Sequence, residues 1–125
     1  MKKTIIPIIL TTLWISISEF VRNTFFIHQY WIDHYQKLGM TFPEKPMNGA
    51  IWGLWSLSFA IVIFILSKKF SLLQTAILSW FIGFELMWLV IGNLGVLPVS
   101  ILPIAIPLSI LEAFVASYIL HKFRG

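Results

Sequence analysis

The chain has 125 residues, is 58% hydrophobic and only 11% charged, carries a formal net charge of +4 and contains no cysteine. Soluble domains are about a quarter charged, and a chain this short cannot hide so large an apolar excess in a soluble core, so the excess must face lipid. The missing cysteine excludes disulfides, iron–sulfur clusters and thiolate metal sites. The basic residues stand in pairs at segment ends, not in a patch interleaved with exposed aromatics, so nucleic acid is not an expected partner.

Four apolar segments of about 20 residues, the length a helix needs to cross the hydrocarbon, are visible. The first covers 4–27. Its MKK start and Ser16-Ile17-Ser18 resemble a signal peptide, but hydrophobicity continues well past Ser18, and an uncleaved helix is expected. In the connector 28–47, Ile27, Trp31, Tyr35 and Leu38 recur at helical spacing and Gly39 supplies a stop. This predicts a short amphipathic helix at the outer interface, with Tyr30, Trp31 and Tyr35 at headgroup level. Pro43 and Pro46 keep the return stretch extended.

The second segment, 48–67, carries Gly49, Gly53, Ser56 and Ala60 at intervals of three or four. The third, 71–92, comes after the short SKKF connection. The fourth, 97–120, comes after NLGV and carries Ser109, Ala113 and Ser117 at the same small-residue interval. Such stripes let helix backbones approach, within one chain or across a homodimer. Pro103 and Pro107 remove backbone hydrogen bonds in the outer half of the fourth helix, and Pro98 precedes it. The freed carbonyls of Val99 and Pro103 could then line a cavity. Connections this short make neighbouring helices antiparallel. The expected fold is therefore all-α, a single membrane domain built as an integral membrane four-helix bundle with an interfacial helix after the first span.

Lys2, Lys3, Lys68, Lys69, Lys122 and Arg124 fall on one side of this path, and only Lys37 and Lys45 on the other. The positive-inside rule puts both termini in the cytoplasm, as in a bacterial inner membrane.

Charges inside the spans point to a site. At about 1.5 Å per residue, Glu19 lies about 22 Å from the cytoplasmic edge, Arg22 about 27 Å and Glu85 about 22 Å. Asn23, Asn93, Trp52, Trp55 and Trp88 lie near the same level. Polar side chains in lipid turn inward, and Thr12, Ser16, Glu19 and Asn23 form one stripe on the first helix. Arg22 is expected to bridge Glu19 and Glu85 with its fork of donors. Two carboxylates against one cation leave a net charge of −1, which is costly in low dielectric unless a proton, cation or amine completes the cluster.

Glu112, about 12 Å from the cytoplasmic edge by the same count, is expected to stand apart as a neutral carboxyl donating a hydrogen bond, or as a proton relay. His28 and His34 are six residues apart and so do not share one helical face, and neither a metal site nor a cofactor is expected. No catalytic arrangement is legible; an enzyme is the less favoured class. Length and four-helix layout resemble the small multidrug transporters, which use a membrane glutamate in their first helix. Glu19 sits deeper and has an arginine beside it, so the likeness is of architecture and carries no residue across.

Two functions are expected from these residues. One is binding or movement of a proton, small cation or small amphipathic molecule at Glu19, Arg22, Asn23, Trp52, Trp55, Glu85, Trp88 and Asn93. The other is a non-catalytic subunit or scaffold whose charges clasp the bundle. Expected partners are the bilayer itself, a second copy through Gly49/Gly53 or Ser109/Ala113/Ser117, or a larger membrane complex.

Overall fold

The structure, a computed structural model, describes residues 3–124; Lys2 of the basic set lies outside the described residues. Helix α1 spans Ile5–Val21 and runs on through a π-helical turn, Arg22–Phe26. Helix α2 covers His28–Lys37, α3 Pro46–Ser67 and α4 Leu72–Trp80. A second π-helical turn, Phe81–Glu85, joins α4 to α5, Leu86–Asn93. A 3-10 turn, Val99–Ile101, leads into α6, Leu102–Arg124. The four helical rods Ile5–Phe26, Pro46–Ser67, Leu72–Asn93 and Val99–Phe123 are each long and apolar enough to cross a membrane. The fold is the all-α, four-helix integral membrane bundle expected from the apolar segments.

Local signals explain the ends. Pro46, fixed at a helical φ, sits at the first position of α3, and Asn48 Oδ1 accepts from the Lys45 backbone N–H at 3.0 Å, so α3 starts two residues before the expected boundary. Ser71 and Gln74 form a reciprocal capping box on α4. Two glycines end helices in the left-handed region, Gly39 at φ 74° and Gly95 at φ 81°. In each case the next residue's N–H reaches back to a last-turn carbonyl, Met40 to Tyr35 at 2.9 Å and Val96 to Ile91 at 3.1 Å, the Schellman closure. Of the prolines, Pro103 lies in the first turn of α6, where a missing N–H costs nothing, and only Pro107 is interior.

α1 packs on α3 and α6, and α4 packs on α6. The core is aromatic: Phe84, fully buried, meets Trp55, Phe59 and Trp88 at ring-centroid distances of 5.9, 5.7 and 5.7 Å. Gly83 makes room for this stack, since a Cβ there would stand 2.5 Å from the Phe59 ring. Ile9, Leu13, Ile17, Leu54, Ile65, Leu73, Leu89 and Leu111 point outward as the lipid-facing surface.

The two small-residue stripes part company. Ser109, Ala113 and Ser117 are fully buried inside the bundle, and Trp80 Nε1 donates to Ser109 Oγ at 2.9 Å, so this stripe is a helix–helix contact within the chain and offers no face to a second copy. A Cβ on Gly49 or Gly53 would meet nothing within 4 Å, so the glycine end of the other stripe opens outward, while Ser56 and Ala60 further along it are buried in the bundle.

α2 closes one end of the bundle. Ile27, just before it, is buried with Leu97, Ile101 and Ala105, and Trp31 packs against that cluster. Phe42 folds back onto Trp31 and Tyr35 at 5.7 and 5.2 Å. His34 Nε2 lies 2.7 Å from the Gly95 carbonyl, and His28 pairs with Glu44. Both histidines hold the cap in place.

Candidate functional site

The charged cluster is built mainly by α1 and α6. The buried face of α1 is Pro7, Thr11, Ile15 and Glu19, continued by Arg22. This corrects the expected stripe by about one position. Thr12 and Ser16 are half-buried, and Thr12 Oγ1 donates to its own Ile8 carbonyl at 2.7 Å, so it needs no partner across the bundle.

Beside that face, Trp14, Ser18 and Arg22 repeat every four residues and all turn to Glu112. Trp14 Nε1 donates to the Glu112 carbonyl at 3.0 Å. Ser18 Oγ donates to Glu112 Oε1 at 2.7 Å, and Arg22 Nη1 to the same oxygen at 3.2 Å. Arg22 Nη2 donates to Glu19 Oε2, and Asn23 Nδ2 to the Glu19 carbonyl at 2.9 Å. The guanidinium carbon stands 5.2 Å from the centroid of the Phe84 ring, which carries the cation on its face. Glu19 and Arg22 are each 5% exposed and Glu112 is 0% exposed.

The second carboxylate of the cluster is therefore Glu112, not Glu85. Helical side chains lean toward the N-terminus of their own helix. α1 and α6 are antiparallel, so Arg22 leans down one rod while Glu112 leans up the other, and the two long side chains close the difference in height. Glu112 accepts two hydrogen bonds there and does not stand apart. Glu85, on the π turn, is half-buried, and its side chain makes no hydrogen bond or ion pair among the described residues. Glu85→Gln should change the unfolding free energy by no more than about 0.5 kcal/mol, read from denaturant unfolding in lipid nanodiscs, because no partner is lost.

Charge accounting is unchanged by the exchange of partners. Two carboxylates face one guanidinium, and each keeps one oxygen with no partner in the protein, Glu19 Oε1 and Glu112 Oε2; Trp31 Nε1 is likewise buried and unpartnered. A cavity of about 20 Å³ lies against Glu19, Arg22, Asn23, Trp31, Trp52, Met87 and Trp88, and Ile27 with Ile101 and Ala105 of the fourth rod completes it. On the other side of Arg22, a groove of about 200 Å³ opens between α1 and α6, with apolar walls that include Ile17, Phe26, Leu108 and Leu111 and with Ser18 and Arg22 at its base.

Of the residues read from the sequence, Glu19, Arg22, Asn23, Trp52 and Trp88 come together here. Trp55 belongs to the aromatic core instead, and Asn93 is exposed near the end of α5. Trp31 and Ser18 were not legible as site residues. Trp31 read as an interfacial aromatic, and Ser18 becomes notable only once Glu112 is known to face it. Among the described residues, no group of three or more His, Asp or Glu is placed to hold a metal ion.

The fold and cluster define a class: an integral membrane four-helix bundle with a buried two-carboxylate, one-guanidinium centre. No protein-family model, curated protein or solved structure matches the chain.

Proposed function

We propose that this small integral membrane protein binds a proton or small cation at Glu19, Arg22 and Glu112, with both termini in the cytoplasm and the α2 cap on the outer side. The observation that carries the reading is Glu19 Oε1, a buried carboxylate oxygen with no partner, on a residue that lines a cavity inside a cluster of formal charge −1. Buried charge without compensation is expensive, and a bound positive charge removes the deficit. The cavity favours a proton or small cation over an amphipathic molecule, because the lipid-facing groove offers a tail Ser18 and Arg22 but neither carboxylate. Both π turns flank the same level of the bundle, and such turns occur often at functional sites.

A second reading is favoured by Arg22 bonding both α1 and α6. The cluster then serves as a structural clasp in a non-catalytic subunit. Infrared spectroscopy of the carboxyl region separates the two. Wild type should show a protonated-carboxyl band that changes with pH while the bundle stays folded, lost in Glu19→Gln and kept in Glu85→Gln. A spectrum without such a band, in a protein that Glu19→Gln merely destabilises, would establish the clasp.

A further inference from the structure

We propose that the cavity beneath α2 is a binding site for ammonium, with Glu19 as the charge partner, Asn23 as a second acceptor, and the rings of Trp31, Trp52 and Trp88 as its walls. The inference rests on the cation site proposed above and adds the chemical class of the ion.

Size restricts the choice first. The cavity of about 20 Å³ has room for the centre of one water-sized particle. Ammonium meets that limit, and a quaternary ammonium or a longer amine does not. The donor set restricts it next. A hard metal cation takes about six or more oxygen ligands. This lining has two oxygen-bearing side chains, Glu19 and Asn23, and otherwise indole rings, aliphatic groups, a thioether and the Arg22 guanidinium. Ammonium instead needs a few hydrogen-bond acceptors, and aromatic rings can serve the rest of its surface. Glu19 Oε1 is unpartnered, and the Asn23 amide nitrogen is already committed to the Glu19 carbonyl, which leaves its oxygen to accept.

Charge decides between ammonium and a neutral water. A water could accept from Trp31 Nε1 and donate to Glu19 Oε1, satisfying both orphaned atoms. It would leave two carboxylates facing one guanidinium unless one carboxyl held a proton, the case the infrared measurement below separates. Ammonium brings the sum to zero and satisfies Glu19 Oε1; having no lone pair, it leaves the Trp31 Nε1–H donor unpaired, so the charge gain has to exceed that cost.

The test is thermal unfolding of the full chain in lipid nanodiscs near neutral pH and at constant ionic strength. Chlorides of ammonium, potassium, sodium and tetramethylammonium are compared, with the infrared measurement run on the same samples. Ammonium should raise the melting temperature in a saturable way, with an apparent affinity about tenfold or more above that for potassium. Tetramethylammonium should have no effect. Ala105→Val, which adds volume at a fully buried wall position, should abolish the ammonium response while the protein still folds. Glu19→Gln should abolish it as well.

Equal responses to potassium and ammonium would overturn the ammonium assignment and leave a general cation site. An infrared band that changes with pH, with no response to any cation, would overturn it and leave a proton site. An ammonium response that survives in Ala105→Val and Glu19→Gln would place binding elsewhere and overturn it too. With neither a band nor a cation response, the cation reading itself falls along with this one.

Discussion

Arg22→Ala should cost about 3–5 kcal/mol of unfolding free energy, the largest effect expected of any single substitution in this bundle. The guanidinium is the only cation in contact with Glu19 and Glu112 among the described residues, and both carboxylates are buried. Removing it strands two negative charges in low dielectric, where they had one positive charge between them. Reversible unfolding in bicelles measures the loss, and a triple variant supplies the control. Arg22→Ala combined with Glu19→Gln and Glu112→Gln should recover more than half of the lost stability, because the charges that needed the guanidinium are gone. If the triple variant is no more stable than Arg22→Ala, lost packing against Phe84 explains the cost, and the charges do not.

Phe84→Ala should rank second, at about 2–3 kcal/mol. Truncating a buried phenylalanine in a soluble core costs about 3–5 kcal/mol, part of it the transfer of the ring from water. In a bilayer the separated helices are already in an apolar medium, so the transfer part shrinks and the lost packing remains. The loss here is large because one ring touches Trp55, Phe59, Trp88 and the Arg22 guanidinium at once. Phe84→Leu keeps most of the volume and should cost less than about 1.5 kcal/mol. Unfolding measurements on the two variants separate volume from ring.

The sequence made the spans legible because hydrophobic length is a local property: about 20 apolar residues between charged or turn-forming stretches is enough. Gly39 marked a helix end for the same local reason, since a left-handed cap favours glycine, and Gly95 ends another helix in the same way. The charge cluster was half legible. Glu19, Arg22 and their surplus negative charge could be read from one helix. The third member required knowing which helix lies against α1, and how far two long side chains lean toward each other in an antiparallel pair. Counting rise per residue placed backbone atoms and ignored that lean, which favoured Glu85 over Glu112. The π turns were not legible at all. Each inserts one extra residue into a helical turn and so changes which residues beyond it face the bundle; Phe84 lies under the arginine, and the side chain of the adjacent Glu85 makes no hydrogen bond to the cluster.

The bond from Arg22 to Glu112 joins residues 90 positions apart in the chain. A ribosome adding about 5–20 residues per second takes on the order of ten seconds to go from one to the other. Throughout that interval Arg22 and Glu19 have each other, but Glu112 has not been made, and the fourth rod that carries it begins only at Val99. The first rod can meet α3 early in that interval, but its contact with α6 and the Arg22–Glu112 bond can form only at the end of synthesis. A chain that stops short of Glu112 lacks the second carboxylate and half of the fourth rod, so Arg22 keeps Glu19 as its one ion-pair partner from the cluster.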